Sequence, residues 1–159
     1  MLGALFLGIL ATTAFTEPVA HKGLILSEAH IRAMPPQAPV AGGYLTIRND
    51  GPEADRLIAA RSSQAGEVQI HEMTMNGDVM KMHELPDGLP IPVGAPVDLK
   101  PGGYHRMFMH VTAPFAEGQI IEASQVFEKA GEVALPFEVR AMRPAPTSGQ
   151  GHDTGHSGC

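Results

Sequence analysis

Two short stretches concentrate the side chains able to do chemistry. HEMTMNGDVMKMH, residues 71–83, holds four methionines and two histidines, and HRMFMH, residues 105–110, adds two more of each. Methionine is ordinarily dispersed through a core as flexible filler, so clusters flanked by histidine ask for another explanation. Thioether sulfur is a soft, uncharged ligand that selects Cu(I), and imidazole also suits copper. Zinc would more often recruit Cys or a carboxylate. A set of two imidazoles and two thioethers carries no charge, which favours the monovalent ion. Packing competes as the account of each methionine taken alone. The convergence of two separate clusters favours a soft-metal site.

The elements that must position these residues read as strands. Asn76-Gly77 predicts a two-residue hairpin turn, because both positions tolerate positive φ. That turn would set Met75 opposite Asp78, Met73 opposite Met80 and His71 opposite Met82. His71, Met73, Met80 and Met82 would then share one face, since opposed residues point the same way. Glu72, Thr74, Val79, Lys81 and His83 would take the other. In the second cluster His105, Met107 and Met109 alternate onto one face, with Arg106, Phe108 and His110 behind.

Further apolar alternations predict strands over 23–27, 43–48, 57–60, 67–75, 79–84, 95–99, 104–111, 119–128 and 132–140. Turn formers separate them: NDGP at 49–52, NGD at 76–78, PDG at 86–88, KPGG at 100–103 and KAGE at 129–132. Such spacing, without a helical period, predicts an all-β fold, an antiparallel sandwich or barrel. Residues 141–159, AMRPAPTSGQGHDTGHSGC, lose all periodicity and read as a flexible tail.

The chain of 159 residues is long enough for one domain with a real core. Its 18 Gly and 14 Pro fit a turn-rich fold. A formal charge of −6 argues against nucleic acid or an anionic membrane surface as partner. MLGALFLGILATTAF is too short an apolar run to span a bilayer, which takes about 20 residues, and it fits a secretory signal within residues 1–20. Cleavage is expected after Ala14 or Ala20; left uncleaved, the segment would be an N-terminal anchor. The folded domain is then 21–140, in an exported protein. The single cysteine, Cys159, excludes an intrachain disulfide.

VQIHEMTMNGDVMKMHEL, VDLKPGGYHRMFM and FEKAGEV together resemble the periplasmic PCu(A)C-type copper chaperones, and RAMPPQAPVAGGYLTIRN at 32–49 matches that family's N-terminal block. The family signature is His, ten residues, Met, about twenty-one residues, then His-x-Met. It falls on His71, Met82, His105 and Met107, with the second spacer one residue longer than usual. His30 stands where Trp is more typical. The resemblance covers residues 22–140. It implies a cupredoxin-like Greek-key β-sandwich and no enzymatic activity. It also implies delivery of Cu(I) by ligand exchange to the copper-site subunit of cytochrome c oxidase or another copper assembly protein. Met73, Met80 and Met109 would pack around the ligands or serve as alternate stepping stones for the ion.

The tail carries His152, Asp153, His156 and Cys159, an auxiliary set whose imidazoles and carboxylate suit Cu(II). A solvated linker is the alternative. His21 would add an amine-imidazole chelate if cleavage follows Ala20. Three other functions compete. A blue-copper electron carrier needs a Cys thiolate beside two His, and Cys159 lies outside any predicted strand. A copper-dependent oxidase-like enzyme would need a base and a cleft that the sequence does not display. A copper-sequestering resistance protein would share the site and lack only the delivery partner.

Overall fold

The computed structural model describes residues 16–142, which form eleven strands. In chain order these are β1 (Val19–His21), β2 (Leu24–Arg32), β3 (Val40–Asn49), β4 (Asp55–Arg61), β5 (Ala65–Asn76) and β6 (Val79–Glu84). There follow β7 (Leu89–Ile91), β8 (Val97–Leu99), β9 (Tyr104–Val111), β10 (Ile120–Phe127) and β11 (Gly131–Arg140). Seven strands close on themselves in the order β5, β9, β3, β2, β11, β10, β4 and back to β5. The result is the all-β sandwich that the alternation predicts, cupredoxin-like as the resemblance implies, and curled into a barrel. Two strand pairings depart from the antiparallel expectation, the shorter being β8 with β9, which meet in parallel at Leu99 and Tyr104. β11 runs parallel to β2, with Glu138 opposite His30 and Arg140 opposite Arg32. The two strands are distant in sequence, so no turn signal could have revealed their direction.

Alternation places the core. Val133, Leu135, Phe137 and Val139 of β11 point inward, as do Leu45 and Ile47 of β3, Ile70 of β5 and Phe108 of β9. Phe108 meets Phe115 and Phe137 edge-on, with ring centroids 5.9 and 6.1 Å away. In β2 the inward phase changes from Leu24 and Leu26 to Ala29 and Ile31. Glu28 sits there at φ 54° and the pairing with β3 slips between Ser27 and His30. That bulge interrupts the alternation, which is why the predicted strand stops at residue 27 while the real one continues to Arg32. The short β1 and β7 were also outside the predicted set.

The site depends on three neighbours, β6, β5 and β9. Among the described residues β6 pairs with β5 alone, so the β5–β6 hairpin projects from the barrel with β6 exposed along its whole length. β9 lies on the other side of β5. Ala14 and the tail residues His152, Asp153, His156 and Cys159 lie outside the described residues.

Candidate metal centre

The hairpin turn differs from its predicted position. Asn76 pairs with Val79, leaving Gly77 and Asp78 as the two loop residues. Gly77 has φ 65° while Asp78 is not in the left-handed region, the pattern of a type II′ turn with Gly first. Asn76-Gly77 and Gly77-Asp78 are both turn-forming dipeptides, and the structure uses the second. Met75 therefore opposes Met80, Met73 opposes Met82, and His71 opposes Glu84 rather than Met82. The pairing moves by two residues, an even number, so every side chain keeps its predicted face. A carboxylate, Glu84, thus stands across from His71.

β9 completes the face. His71 is directly opposite His105, and Gln69 opposite Met107. The two imidazole centroids lie 5.7 Å apart, and His105 Nε2 is 3.1 Å from Met82 Sδ. His105 and Met107 are 7% and 9% exposed, whereas Met82 is 48% exposed. The four residues singled out from the sequence thus share one face of three adjacent strands, with the β9 pair as a buried floor and Met82 as an open wall.

Hydrogen bonds fix which nitrogens are free. The carbonyl of Gly103 accepts from His105 Nδ1 at 3.1 Å, so Nδ1 carries the proton and Nε2 is left with its lone pair. That lone pair faces the Met82 sulfur. The same carbonyl accepts the Met73 N–H at 3.1 Å, locking the turn to the ligand strands. Pro101 and Gly102 occupy the middle of this Lys100–Gly103 turn, closed by Gly103 N–H to Lys100 O at 3.0 Å. Gly102 at φ 84° meets the demand of a type II turn at its third position.

His71 is set by a relay that sequence reasoning missed. Gln69 Nε2 donates to Glu67 Oε1 at 2.8 Å. The amide oxygen of Gln69 then accepts from His71 Nε2 at 2.7 Å. Because a carboxylate only accepts, the amide is oriented, and His71 must be protonated at Nε2. Its Nδ1 is buried without a hydrogen-bond partner among the described residues. The signal was present as Glu67, Gln69 and His71 at alternate positions, the spacing that puts all three on one face of a strand. Burial, helped by the neighbouring His105 and His83 imidazoles and opposed by Glu84, holds the His71 pKa below its usual value. The ring therefore stays neutral, as a ligand must.

Behind the ligands, β9 turns Arg106 into the barrel, fully buried. Its Nε, Nη1 and Nη2 find no partner among the described residues, and burial pushes its pKa down to about 9. Among the described residues, no three His, Cys, Asp or Glu side chains converge on a point that could hold an ion. Beside the two imidazoles this face carries thioethers, donors that suit a soft ion.

Residues 24–139 match the family described as "Putative lipoprotein LpqE-like". The "Putative lipoprotein Lxx21020" of Leifsonia xyli subsp. xyli is 30% identical over 131 residues, covering 81% of this chain and 78% of the relative. These lipoprotein relatives group the chain with exported proteins. Among solved structures, the copper-bound PCuAC domain from PmoF2 is 26% identical with a TM-score of 0.67, covering 79% of this chain and 99% of that domain. The apo PCuAC domain from PmoF1 is 25% identical with a TM-score of 0.68, covering 79% and 100%. Apo-DR1885 from Deinococcus radiodurans shares the fold at 19% identity and a TM-score of 0.59, covering 89% of this chain and 95% of that one. The chain belongs to the LpqE-like lipoprotein family, and its barrel is a domain of the PCuAC type.

Proposed function

We propose that this protein is a periplasmic copper chaperone that binds one Cu(I) through His71, Met82, His105 and Met107 and passes it to the copper centre of cytochrome c oxidase. The observation that carries the reading is the 3.1 Å approach of His105 Nε2 to Met82 Sδ. With Nδ1 committed to Gly103, both atoms are lone-pair donors, and a soft cation between them turns an unfavourable contact into two bonds. The bare Nδ1 of His71 supplies a third donor, and the buried Met107 thioether a fourth. The copper-bound state of the PmoF2 domain supports copper as the ion.

Release follows from the asymmetry of exposure. An incoming donor reaches Met82 first, displaces its sulfur, and takes the ion as the imidazoles let go. The protein is not an enzyme, since no bond in a substrate changes. Cleavage of the leader after Ala14 is supported by β1, whose Val19–His21 pairs with Leu24–Leu26. Cleavage after Ala20 would leave only His21 of that strand. The tail residues His152, Asp153, His156 and Cys159 form a separate Cu(II) site in this reading, so the core holds the reduced ion and the tail the oxidised one.

The test is Cu(I) titration against a chromogenic chelator, followed by transfer to an apo oxidase copper domain. One tight equivalent is expected, lost in Met82→Ala and His105→Ala. Unchanged stoichiometry and affinity in both variants would sink the ligand assignment. Tight binding without transfer would turn the reading to sequestration.

A further inference from the structure

The hairpin holds more sulfur than a four-ligand site needs. Met75 and Met80 oppose each other beside the turn, and Met73 and Met82 form the next rung toward His105. Packing does not account for the outer rung, because Met75 is 64% and Met80 52% exposed. A solvated hairpin ordinarily carries polar residues at such positions, as its reverse face does. There Glu72 meets His83 at 3.2 Å, and Thr74 opposes Lys81. Over these two rungs the charged side chains are kept to one face and the thioethers to the other.

We propose that the Met75–Met80 pair is a second, weaker Cu(I) site, the outer rung of a thioether ladder through which the ion enters and leaves the inner site. This rests on the copper reading above and adds to it a place and a path. Directly opposed side chains on a hairpin have Cβ atoms roughly 4.5–5.5 Å apart, and methionine has three rotatable bonds. Two such sulfurs can close on one ion from opposite sides. Two neutral thioethers without an imidazole hold Cu(I) loosely, which suits a site that must hand the ion on. Successive rungs are two residues apart, about 6.5 Å along the strand. The ion therefore advances by exchanging one or two sulfurs at a time: the bond to Met75 or Met80 breaks as the bond to Met82 forms. Copper stays Cu(I) throughout, so no electron or proton is exchanged. Among the described residues β6 has no neighbour on its outer side, which leaves the ladder open to solvent and to a docking acceptor.

The test uses the full-length protein labelled with 13C at the methionine methyls and titrated with Ag(I), a redox-inert soft monovalent ion, then with Cu(I). The first equivalent is expected to move the Met82 and Met107 methyls. Excess ion is expected to move Met75 and Met80 in fast exchange. The variant Met75→Leu/Met80→Leu, which keeps the apolar bulk, is expected to slow Cu(I) transfer to a chelator about tenfold, as removal of a local capture step should. Met75 and Met80 methyls that ignore excess ion, or an unaltered transfer rate in the double variant, would overturn the proposal. Failure of the inner site has a different signature. There the first equivalent would leave Met82 and Met107 unmoved, and the ladder would still be decided by the Met75 and Met80 methyls.

Discussion

Which nitrogen of a histidine is free matters as much as where the ring sits. In His71 the choice is made two residues away, by Gln69 holding Nε2–H while Glu67 holds Gln69. Replacing Gln69 with Leu leaves the strand and ring in place but releases the tautomer and the ring orientation. Cu(I) affinity is expected to fall about 10- to 100-fold, the usual loss when a ligand's hydrogen-bonding partner is removed, with the apo thermal midpoint little changed. Equal affinity in a chelator competition would show that the relay is idle. Arg106 is the opposite case, a residue the fold carries at a cost. A buried cation without a partner is paid for by the rest of the core, so Arg106→Leu is expected to stabilise the apo protein by about 1–4 kcal/mol in urea unfolding. A destabilised variant would mean that the guanidinium is solvated or paired in solution. Arg106 was legible from the sequence as a residue behind the ligand strand. That this back face is sealed from water was not, because sealing depends on strands distant in sequence.

At the scale of elements, the ligand face could be read from the sequence because a strand's side-chain period is two. The true turn at Gly77-Asp78 moves every pairing by one rung and yet leaves each residue on its predicted face. Faces survive such an error; neighbours do not. Glu84 opposite His71 and Met75 opposite Met80 were therefore hidden, although His71, Met82, His105 and Met107 were not. The Lys100–Gly103 turn shows how a loop acts on the site from below. Its last carbonyl holds both Met73 N–H and His105 Nδ1, and Gly102 at φ 84° brings it there. A Cβ added at Gly102 meets nothing within 4 Å, so Gly102→Ala is a test of backbone strain without a clash. The expected cost is more than about 0.4–1 kcal/mol of stability, since Ala at positive φ is unfavourable, together with weaker Cu(I) binding. Loss of stability with unchanged binding would separate the turn from the site.

Across the whole molecule the barrel is closed by its least extensive seam, where β4 meets β5 through the single register pair Ala60–Val68. Asp55 secures the β4 side by accepting N–H bonds from Lys129 at 2.9 Å, Ala130 at 3.0 Å and its neighbour Arg56 at 2.7 Å. Burial alone would raise its pKa, but these bonds and the Lys129 charge outweigh it and the net shift is downward. On the parallel β2–β11 seam, His30 stacks on Tyr44 with centroids 5.3 Å apart and lies opposite Glu138. Burial lowers its pKa, the Glu28 carbonyl works against this, and Arg140 and Arg32 add to it. Both groups resist protonation in the folded state more than in the unfolded chain. For each, the unfolded state binds more protons in the window between its two pKa values, so stability falls as pH falls. The imidazole contribution is present above pH 6.5 and lost as pH drops from there through the folded value; the Asp55 contribution is lost similarly below 3.8. Urea midpoints of the chelator-treated protein should therefore decline between pH 7.5 and 5, and His30→Gln should flatten that decline without touching the copper ligands. A variant whose midpoint follows the same slope as the parent would remove His30 from the account and leave the pH dependence to His71, the remaining imidazole whose pKa burial depresses.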